Sequence, residues 1–334
     1  MNIKLLDCTL RDGAHVNAGN FGKDNIKFVI NSLVNAKIDI IEIGFLQDVT
    51  YDPHIVFFDS ISRAEDLIAS YSLDNTADFS LMVRPDRCSI NNIDSKASII
   101  NTIRFAFYLE DFDKVPAYFN HARSLGYKCF FNPVAISTNT HEEISTLLDA
   151  CVKLNPDGIS IVDTFGALRP ESFKDLVQIF NNKIPKTSYT GIHLHENLSS
   201  SFGMISDFLA VNFDKRDIII DSSLLGMGRI PGNTPTELVA DLINAYYEGS
   251  YGIKDIMLAI NKVIYAEKSK RDWGYLPEYM ISGSLNIHRS YAEHFVEHSG
   301  LDLKTSYILM KKVSLENKGS KFDASYANQL IDDL

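Results

Sequence analysis

Basic charge is what this chain has least to spare. Over 334 residues, 32 lysines and arginines stand against 43 aspartates and glutamates, a formal net charge of −11. That balance argues against nucleic acid or an anionic membrane surface as a partner, because both demand clustered Lys and Arg. Long apolar runs are missing as well. No charged start leads into an apolar core and no span of 18 apolar residues occurs, so neither a signal peptide nor a membrane helix is expected, and the chain reads as cytoplasmic. Cysteine is sparse: Cys8, Cys88, Cys129 and Cys151 are scattered without a C-x-x-C pair and read as reduced structural thiols. No G-x-G-x-x-G turn follows the first apolar run, which removes the dinucleotide-binding fingerprint. Small-molecule chemistry remains.

What is present is a 45% hydrophobic chain long enough for one barrel-sized core. Short β-rich runs recur at 3–8, 38–44, 79–83, 102–108, 128–132, 158–162, 188–194 and 217–221. Amphipathic stretches at 24–36, 114–124, 141–153, 171–180 and 200–210 separate them. Eight strand and helix units in about 250 residues predict a (β/α)8 TIM barrel, whereas a doubly wound sheet usually stops at five or six strands. After Asn244 the pattern turns helical, with a break at 273–277 between 254–270 and 284–334. We therefore expect a barrel over 1–250 carrying the site, and a C-terminal helical extension over 251–334.

In such barrels the C-terminal ends of the strands form the active face. The first run ends LLDCTLRDGAH, placing Arg11, Asp12 and His15 there. The seventh ends with His193 and His195, which share one face of a strand because side chains alternate. With Asp12 they make a plausible oxygen and nitrogen ligand set for one divalent metal. Lys4 and Lys128 sit at strand beginnings, so no lysine is placed to form a Schiff base. Glu42 and Arg84 read as inward polar residues of the barrel, and His121, His141, His288 and His294 as surface residues of helical stretches. Gly226, Gly228 and Gly232 allow a phosphate cradle or, the reading favoured here, a turn that delivers Asn233.

Asp7-x-Thr9-Leu10-Arg11-Asp12-Gly13, His193-x-His195, and Gly226-Met227-Gly228 followed by Gly232-Asn233 together resemble the metal-dependent aldolase and lyase superfamily. It includes 4-hydroxy-2-oxovalerate aldolase, hydroxymethylglutaryl-CoA lyase, and the isopropylmalate and homocitrate synthases. The resemblance spans roughly the first 245 residues. Ala14 and His15 stand where the Claisen-type synthases carry Glu-Gln, which favours the aldolase branch. The resemblance implies Asp12, His193 and His195 as ligands, with Asn233 adding an oxygen directly or through water. Mn²⁺ is the expected ion, with Mg²⁺, Co²⁺ or Zn²⁺ as alternatives. It further implies cleavage or formation of a 4-hydroxy-2-oxo acid from pyruvate and an aldehyde, through a pyruvate enolate stabilised by the metal and Arg11. His15 would move the C4-hydroxyl proton, Thr164 would contact the substrate carboxylate, and Tyr279 (or Tyr275 or Tyr291) would be the family's C-terminal tyrosine. A homo-oligomer or an aldehyde dehydrogenase is the implied protein partner. An acyl-CoA lyase or synthase is the alternative reading within the superfamily, and a non-catalytic docking barrel the alternative outside it. Phe165, Glu196 and Phe45-Leu46-Gln47-Asp48 depart from the aldolase pattern, so the aldehyde pocket is expected to be remodelled away from acetaldehyde, toward a functionalised or sugar-derived aldehyde.

Overall fold

Runs of β-branched and aromatic residues, each followed by an amphipathic stretch, leave parallel pairing as the way to bury both faces of every strand. The computed structural model describes residues 2–71, 73, 77–95, 98–211 and 216–334. Eight parallel strands form a closed ring: β1 (Ile3–Asp7), β2 (Ile40–Leu46), β3 (Asp78–Val83), β4 (Ile100–Phe107), β5 (Lys128–Pro133), β6 (Gly158–Asp163), β7 (Tyr189–Leu194) and β8 (Ile218–Ser222). Closure comes from β1 pairing with both β2 and β8, at Leu6↔Ile40 and Leu6↔Asp221. A two-residue strand, Phe57–Phe58, adds to the edge of β2. This is the (β/α)8 barrel the sequence predicts.

The barrel interior is layered by the two-residue period of its strands. Leu6, Ile40, Phe130 and Ile219 form an apolar plug at the bottom. Two residues further along, Glu42, Asn132 and Asp221 replace them with buried polar groups, joined by Arg104 and Ser160. Nearer the C-terminal ends, Met82, Ala106, Val162 and His193 line an open cavity. Small residues keep the layers in register: a Cβ on Gly158 would run into Phe130, and one on Gly191 into Ser160.

Helices α1 (Thr9–Asn17), α2 (Lys23–Asn35), α3 (Ile61–Ala69), α4 (Val115–Ser124), α5 (His141–Val152), α6 (Pro170–Lys183), α7 (Ser201–Ala210) and α8 (Thr236–Tyr246) alternate with the strands. After them, Ile253–Ala259 runs through a π-helical turn, Ile260–Ile264, into Tyr265–Lys270. The stretch predicted as helical over 284–334 is broken into Ser290–Ala292, Glu293–His298, Leu303–Leu315 and Ala324–Asp332. This tail is tied to the active end of the barrel. Trp273 Nε1 donates to Leu225 O at 2.8 Å, and Asn197 Nδ2 donates to Tyr279 O at 2.9 Å. Among the described residues no helix is long and apolar enough to cross a membrane.

Candidate metal centre and active cavity

A helix rather than a strand end carries the first functional residues. The chain leaves β1 directly into α1, where Asp12 N donates to Cys8 O at 2.7 Å. Arg11 and His15, four apart, and Asp12 and His15, three apart, therefore share a helix face. That face looks into a cavity of about 280 Å³ over the barrel axis, whose lining includes Arg11, Asp12, His15, Thr164, His193 and His195.

Asp12, His193 and His195 are all buried, and each presents a ligand-type atom within 4.8 Å of the others. One imidazole is hydrogen-bonded from behind and the other faces a carboxylate. His195 Nδ1 donates to Asp163 O at 2.8 Å, which leaves Nε2 with a lone pair, 3.6 Å from Asp12 Oδ2 and without a hydrogen-bond partner. His193 Nδ1 lies 3.1 Å from Asp221 Oδ2. A carbonyl and a carboxylate behind two imidazoles is how metal-binding histidines are commonly oriented. Burial would raise the Asp12 carboxyl, but the Arg11 guanidinium beside it holds it well below the usual carboxylate range. Burial pushes the His193 imidazole down, which favours its neutral, ligating form. A carboxylate kept ionised, facing a buried and unpartnered imidazole nitrogen, fits a divalent cation.

Arg11 is held on both sides. Its Nε donates to Glu42 Oε2 at 2.6 Å and its Nη1 to Asp12 Oδ1 at 2.5 Å. Arg104 extends the network, donating from Nη1 to Glu42 Oε2 at 3.2 Å and from Nη2 to Asp221 Oδ2 at 2.5 Å. Glu42 is thus the inward polar residue expected, whereas Arg104 and Asp221 went unnoticed in the sequence. Their signal was a charge inside an apolar strand, in Ile103-Arg104-Phe105 and Ile220-Asp221-Ser222.

The glycine-rich segment forms the turn that delivers Asn233. Asn233 N donates to Gly226 O at 3.0 Å, and Gly232 takes a φ of +119° that suits glycine. Asn233 acts on Asp12 as a donor, Nδ2 to Oδ2 at 2.7 Å, so in this arrangement it orients the carboxylate instead of facing it with an oxygen. A Cβ on Gly228 would collide with both Asn233 Nδ2 and Asp12 Oδ2.

The remaining predicted residues divide. His15 stands at the mouth, its side chain 39% exposed, with Nε2 3.9 Å from Asp12 Oδ1. Thr164 Oγ1 accepts from Ala135 N at 2.7 Å and keeps its own hydrogen for a ligand. Tyr279 does not line the cavity; it is fully buried and its hydroxyl donates to Glu297 Oε1 at 2.5 Å. Tyr291 likewise donates to Lys318 O at 3.0 Å, and Tyr275 is exposed. Phe165 is buried against His288, ring centroids 5.7 Å apart, and does not line the cavity it was expected to remodel, whereas Phe45 and Gln47 do line it. His288 is not a surface residue of a helix. It lies between helices with Nε2 2.8 Å from Arg229 Nη2.

Fold and cavity together define a (β/α)8 barrel with a buried carboxylate and imidazole set of metal-ligating chemistry at its active end. The chain belongs to the HMGL-like family, whose profile matches residues 2–261. It is 25% identical over 245 residues to 4-hydroxy-2-oxovalerate aldolase 6 of Rhodococcus jostii, covering 73% of this chain and 68% of that one. A 4-hydroxy-2-oxovalerate aldolase of Geobacillus genomosp. 3 is 24% identical over 264 residues, covering 78% and 77%. Among solved structures, the HMG-CoA lyase of Brucella melitensis superimposes with a TM-score of 0.63 at 15% identity, covering 80% of this chain and 99% of that one, a likeness of fold.

Proposed function

We propose that this protein is a divalent-metal-dependent aldolase that cleaves or forms a 4-hydroxy-2-oxo acid, with pyruvate and an aldehyde as the two fragments. The observation that carries the reading is the buried Asp12, His193 and His195 set facing the same cavity as Arg11 and His15, in a chain whose curated relatives include 4-hydroxy-2-oxovalerate aldolases. Asp12, His193 and His195 would hold the cation, and one carboxylate with two imidazoles suits Mn²⁺, with Mg²⁺, Co²⁺ or Zn²⁺ also compatible. When bound, such a cation supplies Lewis-acid polarisation of the keto oxygen of an α-keto acid.

The side chains do the rest. Arg11, immobilised by Glu42 and Asp12, donates to the oxygen on which enolate charge develops. Thr164 offers its hydroxyl to the substrate carboxylate. In cleavage, His15 takes the proton of the C4 hydroxyl, the C3–C4 electron pair moves into the pyruvate fragment, and the aldehyde departs. In synthesis the same imidazole returns that proton to the new alkoxide. Tyr279 stays outside this scheme while its hydroxyl is bound to Glu297. Four buried free thiols fit a reducing compartment, the cytoplasm.

Exchange of the pyruvate methyl protons in deuterated water tests the reading without any choice of aldehyde. The metal-loaded protein should catalyse it and lose it on chelation, with Mn²⁺ or Co²⁺ restoring it. Exchange that persists in excess chelator, or its absence with metal bound, would overturn the proposal.

A further inference from the structure

The cavity is lopsided in charge: Arg11, Arg84, Arg87 and Arg229 line it against a single carboxylate, Asp12. Three of the four guanidinium groups have counterions within the protein. Arg11 is shared between Glu42 and Asp12. Arg84 grips Asp86 through Nε at 3.0 Å and Nη2 at 2.7 Å, and Arg87 lies 3.8 Å from the same carboxylate. Arg229 differs. Its backbone N–H donates to Asp12 Oδ2 at 3.1 Å, which fixes the residue beside the metal-ligating set. Its half-buried side chain meets His288 Nε2 at 2.8 Å. A guanidinium only donates, so that nitrogen must accept, and the imidazole is neutral and returns no charge. Among the described residues no carboxylate pairs with the Arg229 guanidinium, and the nearby Arg289 is itself paired with Glu293 at 3.1 Å. A partly desolvated cation without a counterion is costly unless something supplies one. Its position offers the vacancy to whatever enters the cavity.

We propose that the aldehyde partner of this enzyme carries an anionic group, a carboxylate or a phosphate, and that Arg229 receives it with Arg84 at the rim. This rests on the aldolase reading above. In the proposed reaction Thr164 takes pyruvate's own carboxylate, so the Arg229 charge is left for the second fragment. Phe45, Met82, Ala106 and Val134 supply apolar wall for the carbon skeleton between the two anionic ends. The chain as a whole is at −11, so the attraction is confined to this mouth and is not a property of the overall field.

Matched aldehydes test the proposal with pyruvate as nucleophile: succinic semialdehyde against butanal, and glyceraldehyde 3-phosphate against glyceraldehyde. The charged member of at least one pair should be favoured by about tenfold or more in kcat/KM, the size expected of a charge-assisted contact. Which pair responds separates carboxylate from phosphate. Arg229→Gln should bring that ratio to within about threefold, and Arg84→Gln should lower it less. A readout independent of turnover is calorimetric titration of succinate and of inorganic phosphate in saturating pyruvate. One of them should bind wild type and bind Arg229→Gln about tenfold more weakly. Should Arg229→Gln not fold, the salt response of the wild type decides: added salt should lower kcat/KM for the charged aldehyde and spare the neutral one. Ratios near one in both pairs would overturn the proposal, as would an Arg229→Gln variant that raises the pyruvate KM and leaves the ratios alone. In either case methyl-proton exchange would survive, so the aldolase reading would stand. Loss of that exchange in wild type would instead remove both.

Discussion

The floor and the mouth of the cavity are built on opposite principles. At the floor both guanidinium groups are answered by carboxylates: Arg11 by Glu42 and Asp12, and Arg104 by Glu42 and Asp221. These side chains are nearly inaccessible to solvent, and their pairing fixes each in one orientation before a ligand arrives. At the mouth His15 is partly exposed, Arg87 more so, and Arg229 pairs with a neutral imidazole. A closed ionic network is suited to holding a fixed component in fixed geometry, while an open one is suited to substrates that come and go. Under the proposed reaction, this difference would put the constant chemistry below and the substrate choice above.

Removing a floor ligand should have the largest effect. His195→Ala leaves Asp12 and His193 as the protein donors. We expect metal affinity to fall by at least about 100-fold, since even the residues behind metal ligands are worth 10 to 100-fold, and turnover to go with it. Elemental analysis of the purified variant checks this, and a full metal complement with full turnover would erase the distinction between floor and mouth. His15→Ala is the mouth's counterpart. It should keep its metal but lose about 100-fold or more in carbon–carbon cleavage, the usual worth of a positioned acid or base, with pyruvate proton exchange less affected. Equal losses in both reactions would place His15 with the floor. Arg104→Met separates stability from catalysis. It leaves Glu42 and Asp221 buried with one cation fewer and should cost about 3–5 kcal/mol in chemical denaturation, whereas Arg84→Gln at the rim should cost under about 1 kcal/mol.

A pH-dependent effect comes from the end of β1. Asp7 is buried, and burial pushes its carboxyl up to about 6 despite hydrogen bonds from Thr236 and the Thr9 N–H. The folded state therefore holds this proton more tightly than the unfolded chain, and stability should decline as pH rises from about 4 to about 6, by about 1–3 kcal/mol. Asp7→Asn should flatten that decline in denaturation curves taken across this range. An unchanged slope would assign the titration to another group.

Much of the barrel was legible because its strands announce themselves by composition. The runs at 158–162 and 188–194 lie within a residue of β6 and β7, and His193 and His195 face the ring interior as a period of two requires. The geometry of α1 was not legible, because nothing in Thr9-Leu10-Arg11-Asp12 separates the last residues of a strand from the first turn of a helix. Burial of Arg104 and Asp221 was readable in principle, since a lone charge inside an apolar strand points to an interior partner. The Arg229 and His288 contact joins residues 59 apart and depends on how the tail folds back, which no local pattern encodes. Tyr279 illustrates the same limit, since only the packed tail shows that its hydroxyl faces Glu297.

Gly228 offers an experimental use that the charged residues do not. Because a single methyl group there would intrude between Asn233 and Asp12, Gly228→Ala should spoil the cation's seat while leaving every donor atom in the sequence. Such a variant would be a matched blank: the same surface, the same charge and the same tail, with the reaction switched off. Expressed in place of the wild type in cells, it would reveal whether any process still depends on the bare barrel as a binding platform once its catalysis is gone.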